Sequence, residues 1–232
     1  MEQYKKDFID FMVLSKALTF GDFVTKSGRR TPFFINTGNY NTGSQLSQLG
    51  RYYAEALRQN MGGAGAFNVL FGPAYKGIPL AAAASIALSV YHSQDVSFCF
   101  NRKEAKDHGE GGVMVGRKLC AGDRVVIIED VVTAGTSVRE SVPLIKSAGA
   151  GGGGVEVEVV GLVVSVDRME RGVGDKSALS ELRDEFGIAA FSIVNLDEIV
   201  EHLRNREVGG SVVLDDAIAG RITEYRREYG CR

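Results

Sequence analysis

Residues 125–137 read VVIIEDVVTAGTS, and the architecture follows from them. Val125, Val126, Ile127 and Ile128 form an unbroken β-branched run, the pattern of a strand buried on both faces, as in a parallel sheet covered by helices on each side. Paired acids, Glu129 and Asp130, stand at its end, followed by Val131, Val132, Thr133, Ala134, Gly135, Thr136 and Ser137 at the entry to a helix. In open α/β sheets ligands sit at the carboxyl ends of strands, where the loop supplies backbone N–H groups and the next helix its positive N-terminus. Thr133, Thr136 and Ser137 add hydroxyl donors, and the small Ala134 and Gly135 let the backbone close on a phosphate. The acids would repel a phosphate but suit the hydroxyls of a sugar, because an ionised carboxylate accepts several hydrogen bonds. Ser137-x-x-Glu140 also fits a capping box, so part of the pattern is helix initiation. Alone, the stretch specifies a ribose-phosphate site on a parallel sheet.

Outward from it, strands and helices alternate. Strands are expected at 68–71, 96–100, 124–129, 155–166 and 188–194, with helices at 77–90, 137–147 and 179–186. Upstream, Phe8, Phe11, Met12 and Leu18 fall near one face of a first helix, and residues 47–59 form a second with Leu49, Tyr52, Tyr53, Ala56 and Leu57 as its apolar positions. The fold class is therefore α/β, a mostly parallel central sheet flanked by helices. Residues 101–118, NRKEAKDHGEGGVMVGRK, mix charges with glycines and are expected to be an exposed, mobile loop. The GAGGGG tract at 149–154 reads as a flexible connection, and residues 215–229 as a charged C-terminal helix. His92 and His202 have no motif around them and are expected at the surface or at caps.

Composition narrows the class. The 232 residues are 44% apolar and 24% charged, as in ordinary globular domains. A net charge of -2, from 27 basic and 29 acidic residues, argues against a nucleic-acid partner or an anionic membrane. Any phosphate-binding charge must be concentrated locally. The longest apolar stretch, residues 78–90, falls short of the roughly 20 residues a bilayer demands, and the N-terminus lacks a signal-peptide core. Three scattered cysteines suggest neither a disulfide framework nor a zinc site, and point to a reduced, cytoplasmic setting. Neither G-x-x-x-x-G-K-[ST] nor a strand-to-helix G-x-G-x-x-G is present.

With its acid-acid-x-x-T-x-G-T-S loop, the chain resembles the type I phosphoribosyltransferases, which bind 5-phosphoribosyl-1-diphosphate. FVTKSGRRTPFFINTG (23–38), FGPAYKGIPLA (71–81), FNRKEAKDHGEGG (100–112) and DRMERG (167–172) narrow the resemblance to the orotate phosphoribosyltransferase family, in order over roughly residues 20–172. The resemblance implies a type I phosphoribosyltransferase fold in a single domain over 1–232, with a small N-terminal hood over about 1–60 and a core sheet over 65–200 carrying the loop at 101–118. It also implies transfer of the phosphoribosyl group to orotate, giving orotidine 5′-phosphate and diphosphate.

Residue by residue, the resemblance assigns Lys26, Tyr75 and Lys76 to the phosphoribosyl diphosphate. Arg102, Lys103, Lys106 and His108 would close over the diphosphate, with Lys103 and His108 as candidates to assist the leaving group. Phe34, Ile35, Thr133 and Arg168 would receive orotate, Arg168 as a guanidinium fork. Mg²⁺ would be held mainly by substrate, at most through water to Glu129 and Asp130. A homodimer sharing the loop between subunits is implied as well. Glu129 departs from the commoner Asp at its position. A following (β/α)₈ decarboxylase of about 250 residues does not fit in a chain of this length. Two rivals are a phosphoribosyltransferase for another nucleobase, which would lack the KSGR and NRKEAKDHG stretches, and a non-catalytic sensor of phosphoribosyl diphosphate, which would lack the loop cations.

Overall fold

A computed structural model describes residues 1–25, 28–63, 65–106, 112–149, 156–172 and 174–231. In chain order the elements are α1 (Gln3–Leu14), β1 (Leu18–Val24), β2 (Arg30–Ile35), α2 (Gly43–Met61), β3 (Val69–Gly72), α3 (Gly77–His92), β4 (Ser97–Lys106), β5 (Gly112–Gly116) and β6 (Arg124–Val131). After them come α4 (Thr136–Gly149), β7 (Glu158–Asp167), α5 (Ala178–Phe186), β8 (Ala189–Asn195), α6 (Leu196–Leu203), β9 (Glu207–Val208), β10 (Ser211–Val212) and α7 (Asp216–Tyr229).

Six strands make the central sheet in the order β5-β4-β3-β6-β7-β8. All neighbours pair in parallel except β5, which returns antiparallel along β4. The β-branched run lies mid-sheet, and the two-residue period of a strand sends alternate side chains to opposite faces. Val126 and Ile128 join the layer built from α1, α2, α3 and α6, while Val125 and Ile127 join the layer built from α4 and α5. All four are fully buried, each contributing about 1.5–3 kcal/mol by leaving water. That two-sided demand is why the run has no polar interruption.

From β3 the chain crosses by α3 to β4 on one side, and from β6 it crosses by α4 to β7 on the other. The strand order therefore reverses between β3 and β6, and a crevice opens there at the carboxyl ends of the two strands. Its walls stand close because a Cβ on Gly72 would fall 2.1 Å from the carbonyl oxygen of Gly77, so only glycine lets β3 turn directly into α3. Outside the sheet, the β1–β2 hairpin packs on α7, with the Phe33 and Tyr225 rings edge to face at 5.8 Å.

Two expectations are corrected. The charged segment is not a structureless loop in its described part: β4 runs on to Lys106 and pairs with β5 through Asn101↔Met114 and Lys106↔Gly112. Backbone pairing, which side-chain charge does not report, builds this hairpin. Helix α1 instead ends short of Leu18, which opens β1, and His202 lies in the last turn of α6, where its enclosed side chain meets Asp10 at 2.9 Å and ties α6 to α1. His92 does end α3, as expected, 3.4 Å from Glu55. Most of the GAGGGG tract lies outside the described residues. No helix among the described residues is long and apolar enough to cross a membrane.

Candidate active site

The two acids immediately precede the last residue of β6, still in register with β7, and their backbone is pinned from both sides. Tyr53 of α2 donates its hydroxyl to the Glu129 carbonyl oxygen at 2.7 Å, and Ser165 of β7 donates to the Asp130 carbonyl oxygen at 2.6 Å. Burial pushes the Tyr53 pKa well above its ordinary value, so the phenol stays a donor.

The carboxylates diverge. Glu129 is buried and accepts from the Ser137 hydroxyl at 2.5 Å and from the Asp130 N–H at 3.3 Å. Desolvation raises its pKa despite those two donors. Ser137 therefore does not cap its helix: α4 begins at Thr136, with Gly135 accepting from Arg139 N–H, and the Ser137 hydroxyl is committed to Glu129. Asp130 accepts from Lys76 Nζ at 2.8 Å and from the Thr37 hydroxyl at 2.7 Å. The Asp130 side chain is 10% exposed and that of Lys76 63%, so a fixed anion sits at the crevice floor beneath a cation on its rim. Between the acids and α4, Thr133, Ala134 and Thr136 are exposed, while Gly135 turns the chain at φ +74°. Val131 and Val132 are half-buried supports for that turn.

The opposite wall is the β3–α3 turn. Its Ala74–Tyr75 peptide is cis, and the Ala74 N–H is held by the Asn101 side chain at 2.9 Å, linking the turn to β4. Tyr75 is exposed, with Lys103 Nζ 5.3 Å from its ring centroid. Pro73, Ala74, Arg102, Lys103, Thr136 and Ser137 line a cavity of about 530 Å³ that joins the two loops. Cations, exposed hydroxyls and a helix N-terminus thus converge on one space, the donor set a phosphorylated ligand requires.

A second cavity, about 230 Å³, lies beyond Thr133 and includes Val132, Ala134, Asp167, Arg168 and Glu170. Asp167 accepts from Met169 N–H at 2.8 Å, and Met169 takes the left-handed conformation at φ +54°, a turn that brings Arg168 and Glu170 together. Desolvation raises the Asp167 pKa. Arg168 lies 4.6 Å over the ring of Phe33, not of Phe34. Phe33 is core, whereas Phe34 points outward and stacks on Phe23 at 5.5 Å, and Ile35 packs partly against the core. Neither Phe34 nor Ile35 lines the Arg168 cavity.

Lys26 and His108 lie outside the described residues, and Lys106 is placed only as the last residue of β4. The chain's tyrosines and serines gave no sign of the supports Tyr53 and Ser165, nor did Thr37, Asn101, Glu170 and Tyr225 stand out. Only DRMERG, which contains Glu170, carried a usable signal. No group of three or more His, Cys, Asp or Glu side chains able to hold a metal occurs among the described residues. Two carboxylates at one strand end fit Mg²⁺ that keeps its waters and takes most of its ligands from phosphates.

The phosphoribosyl transferase domain family matches residues 36–191. Orotate phosphoribosyltransferases of Clostridium acetobutylicum and Clostridium beijerinckii are 55% and 54% identical over 232 residues, covering 100% of both chains in each case. The crystal structure of orotate phosphoribosyltransferase from Francisella tularensis superposes with a TM-score of 0.80 at 36% identity, covering 97% of this chain and 99% of that one. The family match, the full-length identity and the superposition leave one assignment: the chain belongs to the phosphoribosyltransferase family, as a member of the orotate phosphoribosyltransferases.

Proposed function

We propose that the crevice between β3 and β6 binds 5-phosphoribosyl-1-diphosphate and transfers its phosphoribosyl group to orotate, giving orotidine 5′-phosphate and diphosphate. The observation that carries this reading is that Lys76 meets Asp130 and Lys103 lies over Tyr75, while Arg102 and Lys103 share one cavity with Thr136 and Ser137 and Arg168 lines another with Thr133.

In this reading the N–H groups and hydroxyls of residues 131–137 receive the 5′-phosphate. Glu129 and Asp130 accept from the ribose hydroxyls, Asp130 exchanging its bonds to Lys76 and Thr37 for substrate. Lys76, so released, turns with Tyr75 toward the diphosphate, joined by Arg102, Lys103 and, on the family resemblance, Lys26, Lys106 and His108. Arg168 and Thr133 receive the base, and Phe34 and Ile35, which stand outside the Arg168 cavity, are joined to it on the family resemblance alone. A ring nitrogen of orotate forms the new bond to the anomeric carbon from the face opposite the leaving group. The electron pair of the breaking C–O bond departs with diphosphate. The proton on that nitrogen passes to the departing diphosphate, so the residues chiefly neutralise charge on the leaving group and exclude water. Mg²⁺, when bound with substrate, supplies further neutralisation of the diphosphate.

The chain is further proposed to work in the cytoplasm as a homodimer whose 101–118 segment is shared between subunits. The outward face of α3, where Ile86, Val90 and Tyr91 are exposed, supports burial against a second copy.

Loss of orotate absorbance on adding phosphoribosyl diphosphate and Mg²⁺, with uracil and hypoxanthine as controls, tests the reaction. Consumption of orotate alone is expected; tight phosphoribosyl diphosphate binding without consumption would identify a sensor instead. Lys103→Ala should depress turnover far more than substrate binding.

A further inference from the structure

Arg168 is the residue that gives the base reading its specificity, and its guanidinium is held by a carboxylate that other side chains already engage. Oε1 of Glu170 accepts from Arg168 Nε at 2.9 Å and Nη2 at 2.6 Å. The same oxygen accepts from the Tyr225 hydroxyl at 2.7 Å, and Oε2 accepts from Arg29 Nη1 at 3.1 Å. Each carboxylate oxygen has about two lone-pair sites, and here three donors crowd Oε1 while one meets Oε2. The oxygen that faces Arg168 thus has no acceptor site left for substrate.

What the arrangement does instead is orient Arg168. Its Nε–Nη2 edge is taken by Glu170 and its flat face rests on Phe33, while Nη1 makes no hydrogen bond among the described residues. One end of the guanidinium is therefore left for a ligand of the Thr133–Arg168 cavity. The side chains of Arg168 and Glu170 are only 12% and 17% exposed, so a misplaced guanidinium would lose its partners without gaining full hydration. Glu170 is itself fixed from outside the sheet, by Tyr225 of α7 and by Arg29 just before β2. Arg29 in turn lies 4.4 Å over the ring of Tyr229, also of α7.

We propose that Glu170 and Tyr225 are positioning residues for base recognition: the C-terminal helix α7 sets, through Glu170, the direction in which Arg168 meets the carboxylate of orotate. This rests on the reading that Arg168 receives that carboxylate. It gives the C-terminal segment, beyond the 36–191 span of the family match, a part in choosing the base.

Steady-state kinetics of Glu170→Gln, Tyr225→Phe and Arg168→Lys, with both substrates varied, separate the possibilities. A hydrogen bond to a charged group contributes about 1.5–3 kcal/mol, so KM for orotate should rise by about tenfold or more in Glu170→Gln, and by less in Tyr225→Phe, which spares the direct contact. KM for phosphoribosyl diphosphate should stay within about twofold, since the cavity of Arg102 and Lys103 is untouched. A rise in both KM values in parallel with a fall in thermal midpoint would mean a structural role only and overturn the proposal. A rise in orotate KM for Arg168→Lys alone, with Glu170→Gln and Tyr225→Phe unchanged, would also overturn it while leaving the base reading intact. No effect of Arg168→Lys would sink the base reading itself. Should Glu170→Gln fail to fold, Tyr225→Phe, which removes one oxygen atom, carries the same test.

Discussion

Replacing Tyr53 by Phe removes one oxygen atom, and the structure indicates what that atom holds. The Tyr53 ring is wholly buried, its hydroxyl donates to the Glu129 carbonyl at 2.7 Å, and Phe keeps the ring packing. What is lost is one buried hydrogen bond, about 1–2 kcal/mol, or a fall in thermal midpoint of about 2–8 °C for a domain of this size. The second effect is local. The Glu129 and Asp130 carbonyls are pinned by Tyr53 and Ser165 respectively, and the two hydroxyl groups also interact with each other. The double variant with Ser165→Ala should therefore be non-additive, by at least ~0.5 kcal/mol. Thermal melts of the parent, both single variants and the double variant measure the stability cycle. Kinetics on the same four proteins should show KM for phosphoribosyl diphosphate rising severalfold when the strand end is loosened, with little change for orotate. A midpoint within about 1 °C of the parent, or strict additivity, would refute the idea that these hydroxyls hold the acids as a unit.

Glu129→Gln should stabilise the unliganded chain at neutral pH. Burial raises the folded carboxyl above its ordinary value near 4.5, so the folded state binds its proton more tightly than the unfolded state. Stability then falls as pH climbs from the ordinary value through the raised one, and the deficit is complete above it. The advantage of the Gln variant should vanish on acidification below that window; a variant less stable than the parent at pH 7 would show that Ser137 and the Asp130 N–H outweigh desolvation. Thiol labelling provides an independent check on the core: Cys120 is exposed and should react promptly, whereas burial pushes the Cys99 thiol up to about 12 and should protect it until the chain unfolds. Equal rates at the two positions would contradict the placement of β4 within the sheet.

Much of the fold was legible because β-branched runs and helical periods report burial directly. The central strand was expected at 124–129 and ends at Val131, since Glu129 and Val131 still pair with β7. Asp130 and Val131 fell beyond the expected strand end, but the ladder depends on the backbone. The same reason hid the β4–β5 hairpin. The acids and cations of the crevice were legible because charge at the end of a buried strand is costly to desolvate and seldom serves packing. Their supports were not: Tyr53 looked like one more apolar helix position, and its partner lies 76 residues away. Glu170 shared a motif with Arg168, yet its commitments to Arg29 and Tyr225 span 141 and 55 residues and exist only once α7 has docked.

The β4–β5 ladder is regular through Asn101↔Met114 and resumes at Lys106↔Gly112, leaving residues 102–105 opposite Val113 alone. Arg102 and Lys103 sit in that interruption. Local opening proceeds in contiguous cooperative units, and a break in a ladder is a natural boundary between them. The inner part of β4 belongs with the buried sheet, while the outer part can part from β5 without disturbing β3. Under the proposed reaction a diphosphate must enter and leave beside these cations at every turnover. Raising the stability of the whole domain, by repacking either face of β6, would therefore leave the opening equilibrium of the outer hairpin largely as it is, so that durability and turnover can be tuned separately in this chain.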